Sequence, residues 1–210
     1  MVPVPIVAMP AATYTARRTG FSVATLVPST VSGVSSDAVA RLRDLSLSYR
    51  EVGATGVSLP DGYRHTARDV VIGRGAASFA AAGERLMSWD IHRAAGLDVA
   101  ASAPRAASGV DVLLTTGPTW SRIGAPVRVV HVHETADRLG FTYGTLSGHP
   151  LRGEESFSVL LEADGDVRFV IIAFSQPASL PLRIFGPVVG WIQRRQTDRF
   201  VDAATAAAAT

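Results

Sequence analysis

The chain has 210 residues, 47% of them hydrophobic and 18% charged, enough to bury a substantial core without a disulfide or structural metal. Its formal net charge is only +2, all 20 of its cationic side chains are arginine, and it contains no cysteine. A lysine Schiff base, a P-loop lysine, a thiol nucleophile and a zinc–thiolate site are thereby excluded.

The isoelectric point near 9.5 reflects arginine's permanent charge, not a large positive field. The arginines are scattered, with only Arg17–Arg18 and Arg194–Arg195 adjacent. Nucleic-acid binding requires a clustered basic stripe, so no nucleic-acid partner is expected. No uncharged apolar run reaches the length of about 18 residues that marks a transmembrane helix. The first residues place their charges after the apolar part and are interrupted by prolines, unlike a signal peptide. A cytoplasmic location is expected, and the lack of cysteine fits it.

In chain order, residues 1–36 read as an extended, partly disordered leader, and residues 37–208 as one α+β domain. Asp37 is a capping residue for a helix over residues 38–49. A glycine- and proline-bearing loop leads to a strand at His65–Ile72. The following Gly73-Arg-Gly-Ala-Ala-Ser78 imitates a dinucleotide fingerprint, but Ser78 replaces the third glycine and no βαβ unit follows. A tight turn into a helix is the plainer reading, with an anion at the helix start as the alternative. Phe79, Ala82, Leu86, Trp89 and Arg93 recur at helical spacing through residues 76–95, and Gly96 stands where a left-handed C′ residue belongs.

Apolar strands are then expected at residues 110–116, 127–135, 139–146, 154–162 and 167–174, and a closing helix at residues 187–208. The short connections favour antiparallel pairing. Asp164-Gly165 suits a two-residue type I′ turn, which sets Ala163 opposite Asp166, Phe157 opposite Ile172 and Glu155 opposite Phe174. Glu155 then shares a face with Phe157, Val159, Val170, Ile172 and Phe174. Phe141, Tyr143 and Thr145 are the matching set on the preceding strand, but the loop of residues 147–153 is not a standard two-residue turn and a slip of one residue moves Tyr143 to the other face.

The string from Leu139 to Phe157, LGFTYGTLSGHPLRGEESF, resembles the signature of a bacterial and plant family known as domain of unknown function nineteen-ninety. Tyr49-Arg-Glu-Val-Gly-Ala-Thr55, Gly62-Tyr63, Gly73-Arg-Gly75 with Phe79, Trp89, His92, Ala95-Gly96-Leu97, Ala173 to Pro177 and Gln196 match it as well. The resemblance spans residues 41–204 and carries no activity with it. The element order is similar to a helix-grip, START-like fold, an antiparallel sheet wrapped around a long C-terminal helix. That analogy does not fix function.

Glu155 is the sharpest candidate, because a carboxylate on an apolar face has a raised pKa and can serve as a general acid or base. The plain alternative is a structural ion pair with an arginine. Tyr143 is a hydrogen-bond donor to the same space or ordinary strand packing. His149 is a titrating group or a loop former. Together these three are the catalytic candidates. His131 and His133 share a strand face as two legs of a metal site, but no third ligand is evident and no metal is expected. No motif requires a cofactor. Val189, Ile192, Gln196, Phe200 and Ala203 align along the last helix, with Gln196 the polar interruption.

These features predict binding of a small apolar or amphipathic molecule between sheet and C-terminal helix, lined by Tyr143, Thr145, Glu155, Phe157, Phe174, Trp89 and Gln196. The alternatives are an enzyme using Glu155 with His149 or Tyr143 on such a ligand, and an interaction or peripheral membrane module. The last rests on the Leu180–Ile192 stretch and Arg194–Arg195. The sequence does not specify an oligomeric state.

Overall fold

The computed structural model describes residues 36–118, 120–179 and 186–209, with side chains at 36 and 186–189 outside the description. The proposed leader and the first part of the Leu180–Ile192 stretch therefore lie outside the described residues.

The order is α1 (Ser36–Ala40), β1 (Arg64–Arg74), α2 (Gly75–Met87), α3 (Asp90–Ala94), β2 (Asp98–Ala101), β3 (Asp111–Thr116), β4 (Ile123–Glu134), β5 (Arg138–Thr145), β6 (Leu151–Leu161), β7 (Asp166–Pro177) and α4 (Gly186–Ala208). Seven strands form one antiparallel sheet in the order β1-β7-β6-β5-β4-β3-β2. The sheet closes against α2, α3 and α4, which is the helix-grip arrangement the element order predicts. Its inner face supplies Phe141, Phe157, Phe169, Ile171 and Val112, packed on Leu86, Met87, Trp89, Ile91 and Phe200. Each is at most 2% exposed, and burying side chains of this size is worth roughly 1.5–3 kcal/mol apiece.

Four local expectations are corrected. The helix expected over residues 38–49 ends early: a 3₁₀ turn at Arg41–Asp44 follows α1, and Leu47 then bridges Leu146 as extended chain. The helix expected over residues 76–95 breaks where Trp89 adopts φ 69°. Trp89 is nonetheless fully buried, so tertiary packing holds an aromatic residue in a left-handed conformation that propensity alone disfavours. Strand β2 was not anticipated; Val99 and Ala101 fall on its inner side, opposite Leu114 and Val112.

The fourth correction concerns the β6–β7 hairpin. Leu161 pairs with Val167 and Glu155 with Ala173, a register one residue away from the expected one. The Glu162 N–H donates to Asp166 O, and the Gly165 N–H to Glu162 O. Only Gly165 (φ 88°) has a positive φ in this turn, whereas a type I′ turn needs two such residues. The loop is therefore three residues long, a type I turn closed by a glycine bulge. Because side chains alternate, the slip moves Val170, Ile172 and Phe174 to the outer face and brings Phe169, Ile171 and Ala173 inward.

Candidate functional site

β6 carries two adjacent glutamates that point to opposite faces of the sheet, as alternation requires. Glu154 faces outward. Its carboxylate accepts from the Tyr49 hydroxyl (2.8 Å), the Gly53 N–H (2.7 Å), and the Thr55 N–H (3.2 Å) and hydroxyl (2.5 Å). Four donors from one short segment clasp a side chain that is 3% exposed. Burial, then the Glu154 charge, drives the Tyr49 phenol far above its usual range, so it stays a donor. Phe174 lies beneath the same segment, edge-on to Tyr49 and Tyr63 at 5.7 and 5.0 Å. It is therefore separated by the sheet from Glu155, contrary to the sequence expectation.

Glu155 faces inward, directly across from Tyr143 on β5. The Tyr143 hydroxyl donates to Glu155 Oε2 at 2.8 Å. Glu155 lies deep among protein atoms yet keeps part of its surface open. Burial pushes its carboxyl up to about 7, opposed by the Tyr143 hydrogen bond. The phenol is raised well above its usual range, by burial and then by Glu155.

His92 on α3 stands beside this pair, its ring 5.9 Å from Tyr143 and 4.9 Å from both Phe157 and Phe200. Trp89 packs against Phe141 at 4.8 Å and His92 at 5.7 Å. Both residues are fully buried, and Trp89 Nε1, His92 Nδ1 and His92 Nε2 have no hydrogen-bond partner among the described residues. Burial, and secondarily the charge of Arg93, depresses the imidazole to about 3, which keeps it neutral.

The remaining candidates are differently placed. Thr145 Oγ1 bonds Ser48 Oγ at 2.6 Å and both the N–H and O of Gly153. His149 Nδ1 accepts from the Leu151 N–H at 2.9 Å, and burial depresses it to about 4, so the ring shapes its own loop. Gln196 donates to Ala95 O at 3.2 Å, joining α4 to α3. On α4 the buried positions among the described side chains are Gly190, Thr197, Phe200, Ala203, Ala204, Ala207 and Ala208, whereas Ile192 is 53% exposed and leaves the expected stripe. His131 and His133 share the outer face with ring centroids 4.4 Å apart. Among the described residues no group of three or more His, Asp or Glu is arranged to hold a metal ion.

Two residues gain importance that the sequence did not assign them. Glu154 was quoted only within the signature string. Arg128 donates to Asp111 at 2.6 Å and to the carbonyls of Leu42 and Leu45, tying the N-terminal turn to the sheet. Neither was detectable from spacing, because their partners lie 17 to 105 residues away.

Sheet and gripped helix define the class: an α+β helix-grip protein. Residues 48–203 match the family described as domain of unknown function DUF1990. A UPF0548 protein of Deinococcus radiodurans is 36% identical over 174 residues, covering 75% of this chain and 85% of that one. A UPF0548 protein of Arabidopsis thaliana is 30% identical over 154 residues, covering 70% and 69% respectively. The chain belongs to this bacterial and plant family. A solved hypothetical protein of Helicobacter pylori has the same fold, with a TM-score of 0.53 and 9% identity over 68% of this chain and 86% of that one. Among the described residues, no helix is long and apolar enough to cross a membrane.

Proposed function

We propose that the protein binds a small apolar or amphipathic molecule on the inner face, beside Tyr143, Glu155, Trp89 and His92. The observation that carries this reading is the set of three buried polar atoms without partners, Trp89 Nε1 and both ring nitrogens of His92, next to the Glu155–Tyr143 pair. Buried polar groups are satisfied in the great majority of cases, and an unsatisfied one costs about 1–3 kcal/mol. A ligand with one or two polar atoms on an apolar body would satisfy them, which is the usual chemistry of a small-molecule pocket.

Native mass spectrometry of freshly purified full-length protein tests this. The expected result is a bound small molecule that is released on denaturation and diminished in His92→Phe and Glu155→Gln. A bare polypeptide mass, together with no shift of inner-face NMR signals on titration with apolar ligands, would exclude the reading.

Acid–base catalysis on that ligand is a second reading. It is favoured by a carboxyl brought to about 7 within hydrogen-bond reach of a phenol. In an assay that detects turnover, activity should follow the titration of Glu155 and vanish in Glu155→Gln. An unchanged rate would rule out this assignment.

A further inference from the structure

Register places a common set of termini at one end of the sheet: the starts of β1, β4 and β6 and the ends of β3, β5 and β7. The N-terminal half of α4 belongs there too. Gln193 Nε2 donates to Ser175 Oγ near the end of β7 at 2.9 Å, and Gly190 faces the guanidinium of Arg64 at the start of β1.

Among the described residues, this end leaves two tryptophans and two isoleucines in solvent. Trp120 and Ile123, around the β3–β4 turn, are 87% and 51% exposed; Trp191 and Ile192 on α4 are 54% and 53% exposed. Trp120 and Ile123 stand at the β3–β4 turn and Trp191 and Ile192 beside β1 and β7, so the same end of the strands presents an exposed Trp–Ile pair at two places along the sheet order.

The charges at this end are matched to an anionic partner. Arg64, Arg152, Arg194 and Arg195 are exposed here, and the Arg195 guanidinium lies 5.6 Å from the Trp191 ring. Of the carboxylates nearby, Asp98 is engaged by Arg122, Glu51 accepts from Tyr63, and Asp61 is exposed. The opposite end of the sheet mixes Glu134, Asp137, Glu162, Asp164 and Asp166 with Arg74, Arg105, Arg138 and Arg168, and Arg74–Asp166 and Arg105–Glu134 are ion-paired there. Its charges are therefore largely paired with one another.

We propose that the arginine- and tryptophan-bearing end is a docking surface for an anionic lipid bilayer. Tryptophan prefers the headgroup boundary, where its ring is apolar and its N–H remains wet, and each arginine held near an anionic surface adds attraction. A nucleic acid would reward the arginines and leave Ile123 and Ile192 without a role. An acidic protein is the remaining occupant, and a surface made for it would bind anionic vesicles without burying the tryptophans, so binding with no blue shift would point to it. The surface stands on exposure and charge alone, independently of the inner-face ligand.

Co-sedimentation of the full-length chain with vesicles tests the proposal, using phosphatidylcholine alone or with about one third phosphatidylserine. Binding is expected only to the anionic vesicles, weakening with salt, with a blue shift in tryptophan emission. Trp89, already buried, contributes a constant background. Arg194→Glu combined with Arg195→Glu should lower vesicle affinity about tenfold or more, and Trp120→Ala with Trp191→Ala should remove the blue shift and weaken binding. Arg74→Glu, at the far end, should leave binding unchanged. All five positions are exposed, and circular dichroism verifies folding. Failure to bind anionic vesicles would overturn the proposal, as would equal binding by the arginine variant. Equal binding to duplex DNA with no effect of the tryptophan substitutions would reduce the surface to a general polyanion site and overturn it too.

Discussion

Glu154 and Glu155 are neighbours in the chain, and each accepts a hydrogen bond from a tyrosine at 2.8 Å, yet they occupy opposite electrostatic worlds. Outside, Glu154 has four donors and is a closed structural clasp. Inside, Glu155 has one donor, a raised carboxyl, and unpartnered polar atoms close by. Neighbouring donors, more than burial itself, decide which carboxylate is locked into the fold and which keeps accepting capacity to spare.

The largest expected effect breaks the outer side. Glu154→Ala strands four buried or half-buried donors at once and should cost about 3–5 kcal/mol in urea unfolding. A loss below 1 kcal/mol would erase the distinction between the two faces.

Next comes acid. Folded His92 titrates at about 3 instead of 6.5, so its stabilising contribution is fully present above pH 6.5 and is lost as pH falls toward 3. By pH 4 the loss should reach about 3 kcal/mol. His133 and His149, each depressed to about 4, act in the same direction. Melting temperatures from pH 7 to 4 should fall steeply, and His92→Phe should flatten the slope.

Glu155 has the opposite sign. Its folded value of about 7 lies above the ordinary 4.5, so its contribution is full below pH 4.5 and is lost as pH rises through 7. Glu155→Gln should therefore raise stability above pH 7, by about 2 kcal/mol once its partial exposure is allowed for, while weakening ligand retention. Denaturant midpoints at pH 6 and 8 check this; a variant less stable than wild type at pH 8 contradicts it. The smallest effect is Gln196→Ala, about 1 kcal/mol for one lost bond to Ala95, measured by thermal melting.

The sheet, its strand positions within a few residues and the C-terminal helix were legible because apolar runs and turn residues are local signals. The direct pairing of Tyr143 with Glu155 was not legible, because the loop of residues 147–153 is not a standard turn and a slip of one residue would have put Tyr143 on the other face. Phe174 was not legible either: the Asp-Gly pair serves both a two-residue and a three-residue turn, and the choice between them reverses every side chain on β7. The break at Trp89 was hidden for a related reason, since its helical spacing continues through a backbone that tertiary packing bends. The Glu154 clasp was out of reach, its donors lying about 100 residues upstream.

Gly153, immediately before the glutamate pair, has φ 147°, and a Cβ there would collide with the Phe174 carbonyl oxygen. Two identical residues in succession carry no information about which is which; exchanging Glu154 for Glu155 changes nothing in the written sequence. The distinction is made by register: the turn at Gly165 aligns Glu154 with Phe174 and Glu155 with Ala173. Gly153 supplies the close approach to β7 that lets this alignment run on without a break to the start of the strand.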